Sequence, residues 1–258
     1  MHSRPTLIGT LDFPLVSKLR WSTRYNGLPL TIVGIVIRGL LRAVPALNWW
    51  YKKHVSASFD RRFNVNTAGI VHSGDLDISS LHKESASMYK GTDAVTFGLV
   101  ISALGIDYSS FVFIDYGSGK GKALFLAAHF PFNKIIGVEL SHALHLAAVA
   151  NIEAIRLERL RCREIASVCE DAEQFQLPDG PLVIYLYHPF NKAVMIRVLD
   201  KIENSLRRSK RMIKIVYQHP IQSDLYTEDL SEVMQSSSLL RKIKLPVRTV
   251  AWDVYESI

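Results

Sequence analysis

From Phe111 onward the chain alternates short apolar runs with longer amphipathic stretches. FVFIDYG, KIIGVEL, EIASVCEDA, PLVIYLYHPF and RMIKIVYQHP read as strands. KGKALFLAAHF, HALHLAAVANIEAIRLERLR and NKAVMIRVLDKIENSLRRS carry apolar residues at helical spacing and read as helices between them. A run such as FVFI, with no polar alternation, needs cover on both faces. Strands of this kind separated by helices build a parallel sheet sandwiched by helices. Two last β-like runs, SLLRKIKLP and RTVAWDVYES, are separated by too few residues for a helix. One of that pair is therefore expected to run antiparallel. TDAVTFGLVISALGI, upstream, reads as a helix with Thr92 or Asp93 near its cap. The expected fold class is α/β, a doubly wound, mostly parallel seven-stranded sheet with an N-terminal helical extension.

The first 58 residues differ from the rest. They hold eight bases (Arg4, Lys18, Arg20, Arg24, Arg38, Arg42, Lys52, Lys53) and one acid, Asp12. The whole chain of 258 residues carries a net charge of +7, so this head supplies all of it and the body is formally neutral. A basic head seeks an anionic neighbour, of which an anionic membrane surface is one, or forms a solvated face. No motif specific for nucleic acid accompanies it. Within the head, Leu28 to Trp50 reads as one strongly apolar helix with a narrow polar stripe of Thr31, Gly34, Arg38 and Arg42. Its uncharged part ends at Ile37, about half of the ~20 residues that a membrane span needs. It suits either a helix packed on the protein or one lying in a membrane interface. Residues 1–58 are expected to form this extension. Residues 59–258 are expected to form the main domain, and Tyr51 to Lys90 reads as a loop-rich connector leading into it. The two cysteines, Cys162 and Cys169, make no disulfide framework or zinc motif and fit a reducing compartment. MHSRPTLIGT does not read as a signal peptide. The expected location is cytoplasmic, with the option of peripheral attachment to a membrane.

The segment DYGSGKGKAL follows the first strand of the domain. A phosphate loop of the form G-x-x-x-x-G-K-[ST] would need glycine at Tyr116 and a hydroxyl at Ala123, and both are lacking. A dinucleotide loop G-x-G-x-x-G would place its third glycine at Lys122, where a side chain crowds the helix–strand contact. What remains is an acid followed by glycines at alternate positions: Asp115, Gly117, Gly119 and Gly121. Next, Glu139 ends KIIGVEL, 24 residues after Asp115. A carboxylate there can accept both hydroxyls of a ribose. CEDAEQF follows the third strand, with Asp171 and Ala172, and YHPF follows the fourth, Tyr187 to Phe190.

These four features, in this order at successive strand ends, resemble the motifs of class I S-adenosylmethionine-dependent methyltransferases. The pairing of DYGSGKG with PFNKIIGVE is similar to that in a group of largely uncharacterised bacterial methyltransferase-domain proteins. The resemblance covers roughly Phe59 to Asp200. It implies S-adenosylmethionine as cofactor, with Asp115, Gly117, Gly119 and Gly121 around its amino-acid tail, Glu139 on its ribose, and Asp171 with Ala172 beside its adenine. SASMYKGTD resembles the segment that folds over the cofactor, with Tyr89 and Thr92 as contacts. YHPF stands where the family has [ND]-P-P-[FY]. This puts Tyr187, Pro189 and Phe190 against an unknown methyl acceptor, and His188 where Asn or Asp is usual.

Methyl transfer from a sulfonium needs no metal, only alignment, exclusion of water and removal of a proton from the acceptor. His188 is a general base on this reading, or else a wall of the pocket. His219, in YQHP, carries the same ambiguity at the carboxyl edge of the sheet. The acceptor is a nitrogen or oxygen nucleophile. A catalytically degenerate binding module with the methyltransferase fold is the alternative, favoured by the altered YHPF.

Overall fold

The computed structural model of the chain describes residues 14–156, 160–219, 230–247 and 251–258. Among the described residues four helices come first: α1 (Pro14–Asn26), α2 (Leu28–Val36), α3 (Arg38–Ala43) and α4 (Pro45–Phe63). A small excursion follows, with β1 (Ile70–Val71), α5 (Ser80–Ser85) and β2 (Tyr89–Lys90). Then come α6 (Ala94–Ser102), β3 (Val112–Tyr116), α7 (Lys122–Ala127), β4 (Lys134–Glu139), α8 (His142–Ala154) and β5 (Ile165–Cys169). The chain closes with β6 (Leu182–Tyr187), α9 (Lys192–Arg208), β7 (Ile213–Gln218), α10 (Ser231–Gln235), β8 (Leu240–Ile243) and β9 (Trp252–Ser257).

The seven main strands lie in the order β5-β4-β3-β6-β7-β9-β8. All neighbours from β5 to β7 pair in parallel, whereas β9 is antiparallel to both β7 and β8. The expected mostly parallel sheet and its single reversed strand are both present. The order reverses at β3, with β4 on one side and β6 on the other. In open α/β sheets ligands bind at such a switch point. Apolar cores lie on both faces. Phe97, Phe113, Leu124 and Val183 belong to one, and Ile114, Ile184, Met195 and Ile202 to the other. That two-sided cover is why FVFI has no polar alternation.

The apolar stretch from Leu28 to Trp50 is not one helix. It breaks at Ile37 and Val44 into α2, α3 and the start of α4. Val44 is extended (φ −120°, ψ 98°) and Pro45 opens α4, a first-turn position where its missing N–H is not needed. Nor does a loop-rich connector begin at Tyr51, which lies within α4. α4 runs through Ser58 to Phe63 and ends on Asn64 in the left-handed region (φ 58°). The expected boundary after Ser58 thus falls inside a helix, and Phe59 and Phe63 are buried in the main core. α1 docks there too. Trp21 stacks on Tyr25, and Gly98 of α6 leaves room for its indole, since a Cβ at Gly98 would lie 2.5 Å from it. α8 stops at Ala154, short of the expected helix, because Ile155 turns extended (ψ 141°) and buries its side chain in the core.

Candidate functional site

At the switch point the loop after β3 crosses the carboxyl ends of β3 and β4. The amides of Gly117 and Ser118 donate to the Val138 carbonyl. Gly117, Gly119 and Gly121 all have positive φ (74°, 54° and 86°), which glycine adopts without steric cost. Space matters as much as torsion. A Cβ on Gly119 would lie 2.1 Å from the Tyr89 ring, and one on Gly117 would lie 2.7 Å from Pro189. The glycines therefore admit protein groups that close the site, not only a ligand against bare backbone. Gly121 caps α7 against Phe125 and Ala148 and is not part of the cavity wall. Gly137, within β4, was not singled out in the sequence. Its missing side chain makes room for Ser118 and Leu124 beneath the loop.

Around this loop lies a cavity of about 340 Å³. Of the expected site residues, Tyr89, Thr92, Asp115, Gly117, Gly119, Glu139, Asp171, Ala172, Tyr187, His188, Pro189 and Phe190 all line it. His219 does not. It sits behind Tyr217, with its ring edge-on to that phenol, and pairs with Asp253 of β9 at 3.1 Å. A position after a parallel strand points a residue toward the carboxyl edge, but the reversed β9 supplies His219 with a nearer partner.

Asp115 is buried at 3% exposure, and its carboxylate has no hydrogen-bond partner among the described residues. Burial first, and then the charge of Glu139, raise its pKa well above the ordinary carboxylate value. Glu139 is also buried, yet each of its oxygens takes a backbone donor. The Gly119 amide donates to Oε2 at 2.7 Å and the Ser141 amide to Oε1 at 2.9 Å. Burial still outweighs these bonds and raises its pKa. Asp171 accepts from the Glu173 amide through Oδ1 and faces His82 at 3.6 Å through Oδ2. Its carboxylate thus shapes the turn, while the buried Ala172 beside it forms wall.

Residues 67–92 cover the cavity and are pinned at several points. β1 pairs with β2, the Tyr89 hydroxyl donates to the Thr67 carbonyl at 2.6 Å, and the Ser87 amide donates to the Pro189 carbonyl. Asp60 accepts from the amides of Thr67 and Ala68 and from the Thr67 hydroxyl. Asn151 ties Asn66 to the Lys120 carbonyl. Asp77 accepts from the Ser141 hydroxyl and the Ala143 amide at the start of α8. None of Asp60, Asp77 or Asn151 was marked in the sequence, because acids and amides that bind loop backbone follow no fixed spacing. Thr92 is buried, and its hydroxyl bonds the Tyr185 phenol at 2.9 Å, which in turn donates to Gln218. Lys122, the residue after the last glycine, is buried rather than solvated. Its ammonium lies over the Phe59 ring and reaches Ser56.

His188 has φ 41°, a left-handed torsion for a residue with a side chain. Asn and Asp, usual at this place in the resembling family, share His's tolerance of that torsion. The side chain is buried, and Nδ1 lies 2.6 Å from the Tyr217 hydroxyl.

No protein-family model matches the chain, and no curated protein does. Solved structures similar to it include magnesium protoporphyrin IX methyltransferase from Synechocystis, at 13% identity and TM-score 0.41 over 64% of this chain and 78% of that one. A SAM-dependent methyltransferase from Aquifex aeolicus is similar at 13% identity and TM-score 0.44, over 62% of this chain and 88% of that one. An rRNA methylase from Streptococcus thermophilus is similar at 15% identity and TM-score 0.41, over 66% and 98%. The chain's own strand order defines a Rossmann-like fold with a cavity of about 340 Å³ at its switch point.

Proposed function

We propose that the chain is an S-adenosylmethionine-dependent methyltransferase acting on a nitrogen or oxygen nucleophile. The observation that carries this is Asp115, a buried carboxylate facing the cavity without a hydrogen-bond donor among the described residues, one glycine loop away from Glu139. S-adenosylmethionine presents a cationic amino group, a ribose diol and an adenine, and the cavity wall offers Asp115, Glu139 and Ala172 with Asp171 in that order. When bound, it supplies an electrophilic methyl group and departs as a neutral thioether. Asp115 neutralises the amino group, which restores the carboxylate's ionised form. Glu139 keeps its two backbone donors and uses its remaining lone pairs for the diol. Tyr89, Thr92 and the covering segment exclude water. Tyr187, Pro189 and Phe190 border the acceptor.

His188 is the titratable group on that border. The Tyr217 hydroxyl at Nδ1 holds the ring in one orientation, as a partner on one nitrogen does for a base that works through the other. The same bond also suits the second reading, a cofactor-binding module without turnover. Titration calorimetry with S-adenosylmethionine, S-adenosylhomocysteine and NAD(P)H tests the proposal. Binding of the first two alone is expected, and a failure of S-adenosylmethionine to bind would sink it. Methyl incorporation from labelled cofactor into extract lacking this protein then separates the two readings. With His188 as base, the rate rises with pH as the imidazole loses its proton and then levels off, and His188→Asn loses ~10²-fold or more. Equal rates at every pH would reduce His188 to a wall.

A further inference from the structure

α2 is packed the wrong way round for a helix of a water-soluble protein. Its buried residue is Thr31, whose hydroxyl bonds Ser22 and the Gly27 carbonyl. Gly34 lies against Tyr51 of α4, where a Cβ would meet the phenol oxygen at 2.1 Å, and that phenol donates to the Leu30 carbonyl. The polar edge thus faces the protein. Leu28, Ile32, Ile35 and Val36 recur at helical spacing on the other side and are 59%, 51%, 53% and 76% exposed. Leu40 of α3, Val44 at the α3–α4 junction, and Trp49 and Trp50 of α4 are exposed as well. Soluble monomers seldom group large apolar side chains in this way without a partner for them.

We infer that this surface docks the protein on an anionic lipid bilayer, lying in the interface without crossing it. Among the described residues no helix is long and apolar enough to cross a membrane. The charge selects the occupant. Lys18 and Arg20 on α1 and Lys52 and Lys53 on α4 are exposed, and among the described residues none of them has an ion-pair partner. Only one acid, Asp12, occurs in the first 58 residues. A second copy of the chain would bring the same bases face to face, which disfavours self-association. Anionic headgroups instead attract the bases while the acyl boundary takes the aliphatic face. Two exposed tryptophans on α4, Trp49 and Trp50, suit the headgroup level.

This inference does not depend on the methyltransferase reading. The full-length protein is sedimented with vesicles of phosphatidylcholine alone and of phosphatidylcholine with phosphatidylglycerol. Binding to the second kind and much less to the first is expected, weakened by high salt. Ile32→Glu with Val36→Glu should lower the bound fraction ~10-fold or more, since both side chains leave the apolar face. These positions are exposed, so the melting temperature and S-adenosylmethionine affinity should hold. Lys52→Glu with Lys53→Glu should weaken binding to the anionic vesicles and leave the weak binding to neutral ones as it was. The inference is overturned if the protein ignores anionic vesicles or if the double glutamate variant binds like wild type. It is equally overturned if the protein is a dimer that the double glutamate variant splits while vesicles stay unbound.

Discussion

Changing Glu139 to Gln tests the ribose assignment with the least disturbance of shape. The carboxylate now accepts one backbone amide on each oxygen, from Gly119 at 2.7 Å and Ser141 at 2.9 Å. An amide side chain has a single acceptor oxygen, and its NH₂ must face the other donor. One buried N–H is left unmatched, at a cost of ~1–3 kcal/mol. A partial offset exists, because the buried Glu139 charge carries a desolvation cost that a neutral amide does not. The stability loss should therefore sit near the low end, and ~1 kcal/mol in a domain of this size lowers the melting temperature by ~2–4 °C. Cofactor binding should suffer separately, since a diol that donated to two carboxylate oxygens now finds one acceptor. A further ~1–3 kcal/mol corresponds to ~5- to 150-fold weaker affinity. Thermal melting of the free protein reads the first effect and titration calorimetry the second. If affinity stays at the wild-type value while the melting temperature falls, Glu139 merely holds the loop and the ribose assignment is wrong. If neither changes, the hydrogen-bond argument itself fails.

Asp115 sets a pH dependence whose sign follows from its raised pKa. The folded protein holds a proton that the unfolded chain has released, so the contribution of Asp115 to the free protein's stability is fully present below the unfolded carboxylate pKa and is lost as pH rises through the raised one. A bound ammonium reverses the preference, so calorimetry in buffers of different ionisation enthalpy should show proton release on cofactor binding in that window. Asp115→Asn should abolish most of it, and unchanged proton release in the variant would refute the assignment. Gly119→Ala should destabilise the closed site, because its Cβ would lie 2.1 Å from the Tyr89 ring at φ 54°. Tyr89→Ala costs stability by itself, so the double variant should lose less than the sum of the two single losses, and simple additivity would show that the torsion alone was at fault.

The mostly parallel sheet was legible in the sequence because both faces of the strands are buried, whereas the strand order and its switch point came only with the structure. Continuous apolar runs such as FVFI have few other homes, and the glycines between strand and helix mark the crossing. The cavity wall was largely legible for the same reason, since residues that follow parallel strands share one edge. Tertiary packing settled the remainder. His219 follows a strand like His188, yet the reversed β9 draws it to Asp253 and away from the cavity. Lys122 has no local signal of burial, yet Phe59 of α4 lies against its ammonium. Asp60, Asp77 and Asn151 hold the covering segment through contacts between distant parts of the chain, which no local pattern encodes. The apolar stretch after Leu28 gave no sign of which face it would bury. That depended on where Tyr51 and Ser22 stood in space, and they took the polar edge and left the aliphatic one outside.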